Sequence, residues 1–572
     1  MAVPRHVARS ASQLFLLDKE SPQYKAYLAI ADIPHPDRAI LGAFIKNAFD
    51  SEKAAQFFLD KISICDGSSL PSAKAVYQFL ADWKTLINMF RPVEATSLPD
   101  EEKKLIFERD GGRCCLTGIT FENYRAEGLI YLHIVPPTVF TSGPGLSKGS
   151  PLFDSLSYFL PTELVDIIYS QENRQTDKFG NVWLLSATAW DPFRKGDAYL
   201  RIQRADTKTE SNLRQEYRVF HSGFTPSHPG SFSLDRDSVH IENRKPHLTI
   251  IPNKNLFAIH RYFSRPLAWM EAHEYMQRHL ENAPKKTSSA KCSTSSIFSF
   301  FRRLWTSLPS FVRTSVYDVL AQIGLKMYPP TLSMTVYKLP FGLYLRRGSL
   351  SLAPKYHIES HTLKLVEKFT AIPAPRVIDV TESPRYSYLL MTCVPGRPIG
   401  QIMNTMTDEE VEQAVVDLKG YISELRQIPS DPSWEYRICN SQGGGFLDWR
   451  IPDSQNEELR FKSEADLNKY LTDPFWEEIR TRAAKSHGIP HEIVFTHGDL
   501  NPRNILAENG RITGVVDWEN AGWFPEYWEY TKMHYTVRGV ERWLVDVVDS
   551  VFPGYREELW VENMLSDLLG PF

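Results

Sequence analysis

The sequence predicts an α+β chain of several domains, and three observations carry that prediction. Its 572 residues exceed what one core holds at about 150 residues per domain, so three or four folding units are expected. Apolar residues recur at helical spacing between about 20 and 95, whereas from about 331 the pattern alternates as strands do. Between them, the stretch 283–296 is rich in Ser, Thr and Lys, with too little apolar surface to fold, and reads as a flexible linker. These divide the chain into a helical region 1–98, a second domain 99–282, the linker 283–296 and a C-terminal domain 297–572.

Charge and cysteine content bound the function. Sixty-five Lys+Arg against 69 Asp+Glu give a net charge of -4, which argues against a chain built to coat nucleic-acid phosphates. The six cysteines, Cys65, Cys114, Cys115, Cys292, Cys393 and Cys439, show neither a disulfide-scaffold rhythm nor a CxxC pair, so a reducing, cytoplasmic setting is expected. Nowhere do eighteen uncharged apolar residues run together, and the opening Met1 to His6 lacks a secretory core. No transmembrane segment is expected.

In the helical region, Ala43, Phe44, Ala48 and Phe49, then Phe57, Phe58 and Ile62, mark the predicted core faces. The second domain opens at Phe107-Glu108-Arg109-Asp110-Gly111-Gly112-Arg113-Cys114-Cys115 and continues to Leu132-His133-Ile134-Val135-Pro136 and Asn181-Val182-Trp183-Leu184-Leu185. These residues resemble the HNH-nuclease-like domain found in many fungal proteins, a ββα-containing fold. The resemblance implies that His133 is a general base for water, that Asn181 orients it, and that a later histidine helps to hold a divalent metal. Counting from Asn181, Trp190 stands where that histidine belongs and Arg194 where an aspartate is usual. An indole nitrogen is donor only and a guanidinium repels a cation, so a degenerate scaffold is the expected state, with His133 a satisfied histidine and the two cysteines apolar residues, and with Asp191, Asp197 and His221 left as alternative ligands. Past the linker, Ile297, Phe300, Phe301, Leu304, Trp305 and Leu308 recur at helical spacing, predicting a helix docked on the next domain rather than on a membrane.

The C-terminal domain begins with strands at Thr335 to Leu339 and Leu343 to Gly348, broken at Pro340-Phe341-Gly342, and a helix over Ile358 to Phe369. Tyr388 to Cys393 predicts another strand, and Asp408 to Ile428 an amphipathic helix with Val411, Ala414, Val415, Leu418, Tyr421 and Ile422 inward. The apolar run Ile493 to Thr496 places Asp499 on a loop leaving a strand. Five residues on stands Asn504, and a hairpin turning at Glu508-Asn509-Gly510 delivers Asp517 beside it. Two hard oxygen ligands near one carboxylate suit Mg2+ at Asn504 and Asp517, leaving Asp499 to orient or deprotonate a hydroxyl.

His497-Gly498-Asp499 with Asn504, and Asp517 opening Asp517-Trp518-Glu519, resemble the motifs of aminoglycoside phosphotransferase and choline-kinase-like enzymes, relatives of protein kinases. The resemblance implies a two-lobed, protein-kinase-like fold and an ATP- and Mg2+-dependent transfer to a hydroxyl of an unidentified small molecule. It implies catalytic roles for Asp499 and His497, Mg2+ on Asn504 and Asp517, a phosphate contact at Arg346 oriented by Glu359, and adenine against Met391 to Cys393. The family carries lysine where Arg346 stands, and Lys338 and Arg347 are alternative cations. No G-x-G-x-x-G precedes them, only Gly342. Two other readings stay open: a pseudokinase-type binding module, and a metal-dependent nuclease through the second domain. After Asp517, Glu519, Trp523, Glu526, Trp528 and Glu529 are read as packing tryptophans among carboxylates that suit a cationic or polyhydroxy acceptor.

Overall fold

The helical spacing at the start closes into α1 (Pro22–Ala29), α2 (Asp37–Asn47), α3 (Ser51–Ser63) and α4 (Ala73–Met89). The structure is a computed structural model and describes residues 18–63, 73–140, 146–169, 178–204, 214–221, 238–281, 302–328, 333–473, 477–536, 542–552 and 554–569. Linker 283–296, Cys65, Cys292, Ile297, Phe300 and Phe301 lie outside these.

Contacts divide the chain into two units, Met1–Ala283 and Pro284–Phe572. The expected boundary at residue 98 is therefore corrected: helices α1 to α4 share one core with the domain that follows. Trp83 of α4, fully buried, has its ring 4.8 Å from that of Phe159 and 6.0 Å from that of Phe263, and its indole N–H donates to the Ile40 carbonyl at 3.0 Å. A helical region this short buries too little apolar surface alone, so it borrows the neighbouring face. Of the predicted core residues, Ala43, Phe44, Phe57, Phe58 and Ile62 are buried, whereas Phe49, beyond the end of α2, is exposed.

After α4, α5 (Asp100–Arg109) leads to an antiparallel sheet ordered β1 (Val93–Glu94), β2 (Leu129–His133), β3 (Val182–Ser186), and α6 (Ala187–Arg194) follows β3 directly. Arg109 is fully buried. It satisfies its fork on Asp110 and on the carbonyls of Phe179, Val182 and Ile250, between 2.7 and 3.1 Å, tying α5 to β3. A second sheet, β4 (Ala198–Arg204), β5 (Arg214–His221) and β6 (Ser238–Glu242), is covered by α7 (Lys254–Glu281).

The C-terminal unit opens with α8 (Ser310–Met327) packed on a sheet ordered β7 (Val336–Leu339), β8 (Leu343–Ser349), β10 (Tyr386–Thr392), β9 (Val377–Glu382). Trp305 packs against the same core at Tyr317, as a docked helix requires. Helix α9 (Ala353–Phe369) starts five residues before the predicted Ile358, because Pro354 fits a first helical turn and needs no amide partner there. Beyond β10 and the short β11 (Arg397–Pro398), α10 (Asp408–Arg426) buries Val411, Ala414, Val415 and Leu418, with Tyr421 and Ile422 half-buried. Thr407 and Glu410 close a capping box at its start. Next, β13 (Ile493–Thr496) pairs with β16 (Gly522–Pro525), itself flanked by β12 (Cys439–Asn440). The predicted hairpin is β14 (Ile505–Glu508) and β15 (Arg511–Val515), turning on Asn509 and Gly510, both at positive φ. Helices α11 (Trp528–Thr536) and α12 (Arg556–Leu569) finish the unit. Among the described residues no helix is long and apolar enough to cross a membrane.

If one core serves the N-terminal unit, Trp83→Ala should cost about 3–5 kcal/mol and raise hydrogen exchange in β2 and β3 together with α2 and α4. Acceleration confined to the helices would separate the two regions.

Candidate active site

Strand β13 ends at Thr496, and a tight loop carries the next residues out. Gly498 has φ +75°, and a Cβ there would lie 2.4 Å from the Asn520 carbonyl oxygen, so glycine is required by both conformation and space. The loop is held from below by Glu529 of α11, a buried carboxylate that accepts the N–H groups of Gly498 at 3.0 Å and Leu500 at 3.1 Å. Read from sequence, Glu529 belonged to the acceptor site; the structure makes it a clamp on the loop. Glu519 and Glu526 are corrected likewise. Glu519 pairs with Arg346, and Glu526 accepts from Tyr555 at 2.6 Å.

His497 also departs from expectation. It is fully buried, its Nδ1 accepts the Asp499 N–H at 3.2 Å, and Nε2 therefore carries the proton it donates to the Val516 carbonyl at 3.0 Å. Burial depresses its pKa, consistent with a neutral ring. Both nitrogens are occupied by backbone, so His497 positions the loop and the hairpin rather than touching a reactant.

Asp499 stands above this frame. Asn501 Nδ2 donates to Oδ1 at 3.0 Å and Asn504 Nδ2 to Oδ2 at 3.0 Å. Burial pushes its carboxyl up to about 6, with Lys532 and Arg503 among the groups pulling the other way. Because the Asn504 nitrogen is engaged, its carbonyl oxygen is the atom left to meet a ligand. The Val516 N–H donates to the Asn504 backbone oxygen at 2.9 Å, placing Asp517 next to Asn504 across the end of the hairpin. Asp517 adopts a left-handed backbone, φ 70° and ψ 59°, a conformation aspartate tolerates better than most residues. Asn504 and Asp517 thus offer the hard oxygens that fit Mg2+.

Arg346 of β8 reaches this carboxylate. Its guanidinium pairs with Asp517, lies 2.9 Å from Glu519 Oε2, and brings Nε within 3.1 Å of Glu359 Oε2 on α9, the last an ion pair without hydrogen-bond alignment. Burial raises the Glu359 carboxyl above the usual range, opposed by Arg346 and aided by Asp517 and Glu519. For Asp517, burial pushes up but Arg346 wins, leaving it below the usual carboxylate value. Neither alternative cation is here. Strand alternation sends Arg347 to the opposite face, where it pairs with Asp318 at 2.8 Å and stacks on Tyr386, and Lys338 lies over Tyr328. Lys355, absent from the sequence reading, approaches Glu519 at 3.8 Å.

The hinge assignment shifts as well. Met391 is buried inside β10 with β8 on one edge and β9 on the other, and the Cys393 N–H donates to the Gly342 carbonyl at 2.7 Å. Strand pairing therefore engages these positions, and backbone outside the ladder begins after Cys393.

Beneath the loop lies a buried group that sequence reasoning missed. Lys532 of α11 donates to Asp448 at 2.7 Å, and Arg450 bridges Asp448, Thr531 and Glu562 between 2.9 and 3.1 Å. Burial favours the neutral forms, yet Arg450 and Lys532 hold the Asp448 carboxyl far below its usual range. Asp448 and Lys532 lie 84 positions apart and Arg450 and Glu562 lie 112 apart, so no local motif announces them.

In the N-terminal unit the expected remnant is differently employed. Asn181 accepts the Val135 N–H at 3.0 Å and donates to the Val135 carbonyl at 2.7 Å, so its side chain is a backbone brace. The buried His133 Nδ1 has no partner among the described residues, contrary to the satisfied histidine expected. Arg194 lies over the Trp190 ring at 5.4 Å.

Removal of the clamp gives a direct test. Glu529→Ala should destabilise the C-terminal unit by about 1–3 kcal/mol, since two buried N–H groups lose a charged acceptor, and chemical denaturation should show that loss with Glu526→Ala, a half-buried neighbour, losing less.

Residues 338–560 match the model of the phosphotransferase enzyme family. Over 190 residues the chain is 26% identical to an aminoglycoside 3'-phosphotransferase of Escherichia coli, covering 32% of this chain and 65% of that protein. A hygromycin-B 4-O-kinase of Escherichia coli is 21% identical over 171 residues, 29% of this chain and 48% of the relative. Among solved structures, aminoglycoside phosphotransferase APH(4)-Ia is 16% identical with a TM-score of 0.28, covering 46% of this chain and 100% of that one. The matched segment takes in β8, α9, the loop of Asp499 and the hairpin to Asp517, so the similarity of this chain to the phosphotransferase enzyme family lies in the region that builds this site.

Proposed function

We propose that the C-terminal unit transfers the γ-phosphoryl group of ATP to a hydroxyl of a small molecule. The observation that carries this reading is the fixing of Asp499 by Asn501 and Asn504 beside Asp517, which sets a base and two metal-ligating oxygens in one place. Asp499 orients the acceptor hydroxyl and takes its proton as the acceptor oxygen bonds to the γ-phosphorus. The bond from that phosphorus to the bridging oxygen breaks, and its electron pair leaves with ADP. Asn504 and Asp517 hold Mg2+, which when bound neutralises charge on the phosphate oxygens. Arg346, once its contacts rearrange, faces the phosphates, and Glu359 orients it. Little covalent work falls to the protein, so the rate depends on positioning and electrostatics.

The names of the relatives support a polyhydroxy or amino-bearing acceptor of the aminoglycoside kind, and the half-buried acidic Asp499 suits a neutral hydroxyl beside a cationic body. For the N-terminal unit, the β2–β3–α6 order is read as an HNH-like scaffold without nuclease chemistry, because Asn181 is occupied by Val135 and Trp190 stands where a ligand is required.

Two outcomes test the transfer. Asp517→Ala should lower Mg-ATP-dependent phosphorylation, screened over hydroxyl-bearing amines and sugars, on the order of 10³-fold, and turnover equal to the unaltered protein would sink the assignment. The base must be ionised to act, and its folded value near 6 lies above the ordinary carboxylate value, so turnover should rise with pH through about 6. Arg503→Gln removes an exposed positive charge that favours the ionised form and should move that midpoint upward; an unmoved or falling profile excludes Asp499 as the base.

A further inference from the structure

The N-terminal unit contains a cleft of about 260 Å³ where the turn after α5 meets the strands β3, β5 and β6. Three arginines line it, Arg113, Arg214 and Arg244, all exposed. Two carboxylates also line it, and only one offsets them. Asp110 is already matched by the buried Arg109, through bonds of 2.7 and 3.0 Å, and accepts the Leu184 N–H as well. Glu242 is left, directly across the ladder from Arg214. Three guanidinium groups against one uncompensated carboxylate leave the cleft positive in a chain whose net charge is -4.

The arginines are placed rather than scattered. Arg244 follows Asn243, a buried side chain that donates to the Thr249 carbonyl at 2.9 Å and accepts the Lys245 N–H at 2.9 Å. Its guanidinium lies over Gly111, where a Cβ would come within 2.6 Å of Cζ, and glycine at φ +66° provides that space. Arg113 donates through Nε to the Gly118 carbonyl at 3.1 Å, so its terminal nitrogens remain for another acceptor. The floor supplies a separate signal. Trp183 lines the cleft, is 2% exposed, and its indole nitrogen has no acceptor among the described residues. A buried N–H without a partner costs about 1–3 kcal/mol, which a ligand oxygen would recover. Donors outnumber the one remaining carboxylate, Glu242, and Leu184, Val239 and Ile241 add apolar wall.

We propose that this cleft binds a small organic anion, a phosphate ester or carboxylate on a short apolar body. The volume falls just below the roughly 300–1,000 Å³ of small-molecule sites, which suits one compact ligand rather than a polymer. Guanidinium forks match the paired oxygens of either head group, and the Trp183 N–H can donate to the same oxygens or to an ester oxygen.

Calorimetric titration of the full chain with phenyl phosphate and, separately, benzoate tests this, the two probes distinguishing the head group. Saturable binding of at least one is expected, weakened about tenfold or more in Arg214→Ala/Arg244→Ala and weakened by added salt. Both positions are exposed, so circular dichroism should show the variant folded. Absence of heat with both probes overturns the proposal, as does binding unchanged in the double variant, which would assign the probe to another site. A short DNA duplex that displaces the probe at lower concentration than either probe binds would also overturn it, in favour of a polymer phosphate.

Discussion

Arg346 leaves strand β8 and meets carboxylates from helix α9, from the end of the hairpin and from the turn behind it, and the charge balance of the site follows from that meeting. Three acidic groups, mostly buried, would repel one another without it. A guanidinium suits the task because it is planar, always charged and forked, so separate nitrogens can address separate acceptors. The ammonium of a lysine is a compact point charge and could not span the same three partners at once. The choice of cation at this position therefore sets connectivity as well as charge. Removing a single partner of such a buried arrangement leaves the others uncompensated, which is why the interaction is costly to break even where its net contribution is modest.

The loop bearing Asp499 depends on groups that do no chemistry. Glu529 holds two of its amides and His497 braces it against Val516, while Lys532, neutralising Asp448 below, also moderates the carboxyl of Asp499. The Asp499 carboxyl, raised by burial yet kept from rising further by neighbouring cations, lies near the range that the base proposed for this position requires. The same burial that tunes it supplies the rigidity that positions it. In the N-terminal unit burial serves a different end: Arg109 and Asn181 use their polar atoms on carbonyls and amides of neighbouring segments, holding the segments around β3 together.

Local pattern made the strands and hairpin around Asp499 legible, since alternation and an Asn-Gly turn are properties of a few adjacent residues. The same is true of α10, whose capping box and apolar stripe lie within one helix. Position in three dimensions was not legible. Glu519, Glu526 and Glu529 are alike in sequence, and only packing made one a partner of Arg346, one an acceptor for Tyr555 and one a clamp. Met391 looked like any strand residue near a hinge; pairing on both edges, a property of two other strands, removed it. The division at residue 98 failed for a related reason, because a change of spacing marks a change of element, and a shared core such as that around Trp83 can join elements across it.

By itself the sequence determined the order of elements in the C-terminal half and the identity of the acidic and amide groups from Asp499 to Asp517, because turn chemistry and apolar period are written in short stretches. The tertiary structure decided which of those groups face outward and which are occupied. It brought Arg346 to Asp517 across 171 residues, turned His497 inward, and gathered Trp183 and three arginines around one cleft. Hydrogen-bond occupancy and burial depend on contacts between distant segments, and no local spacing encodes them.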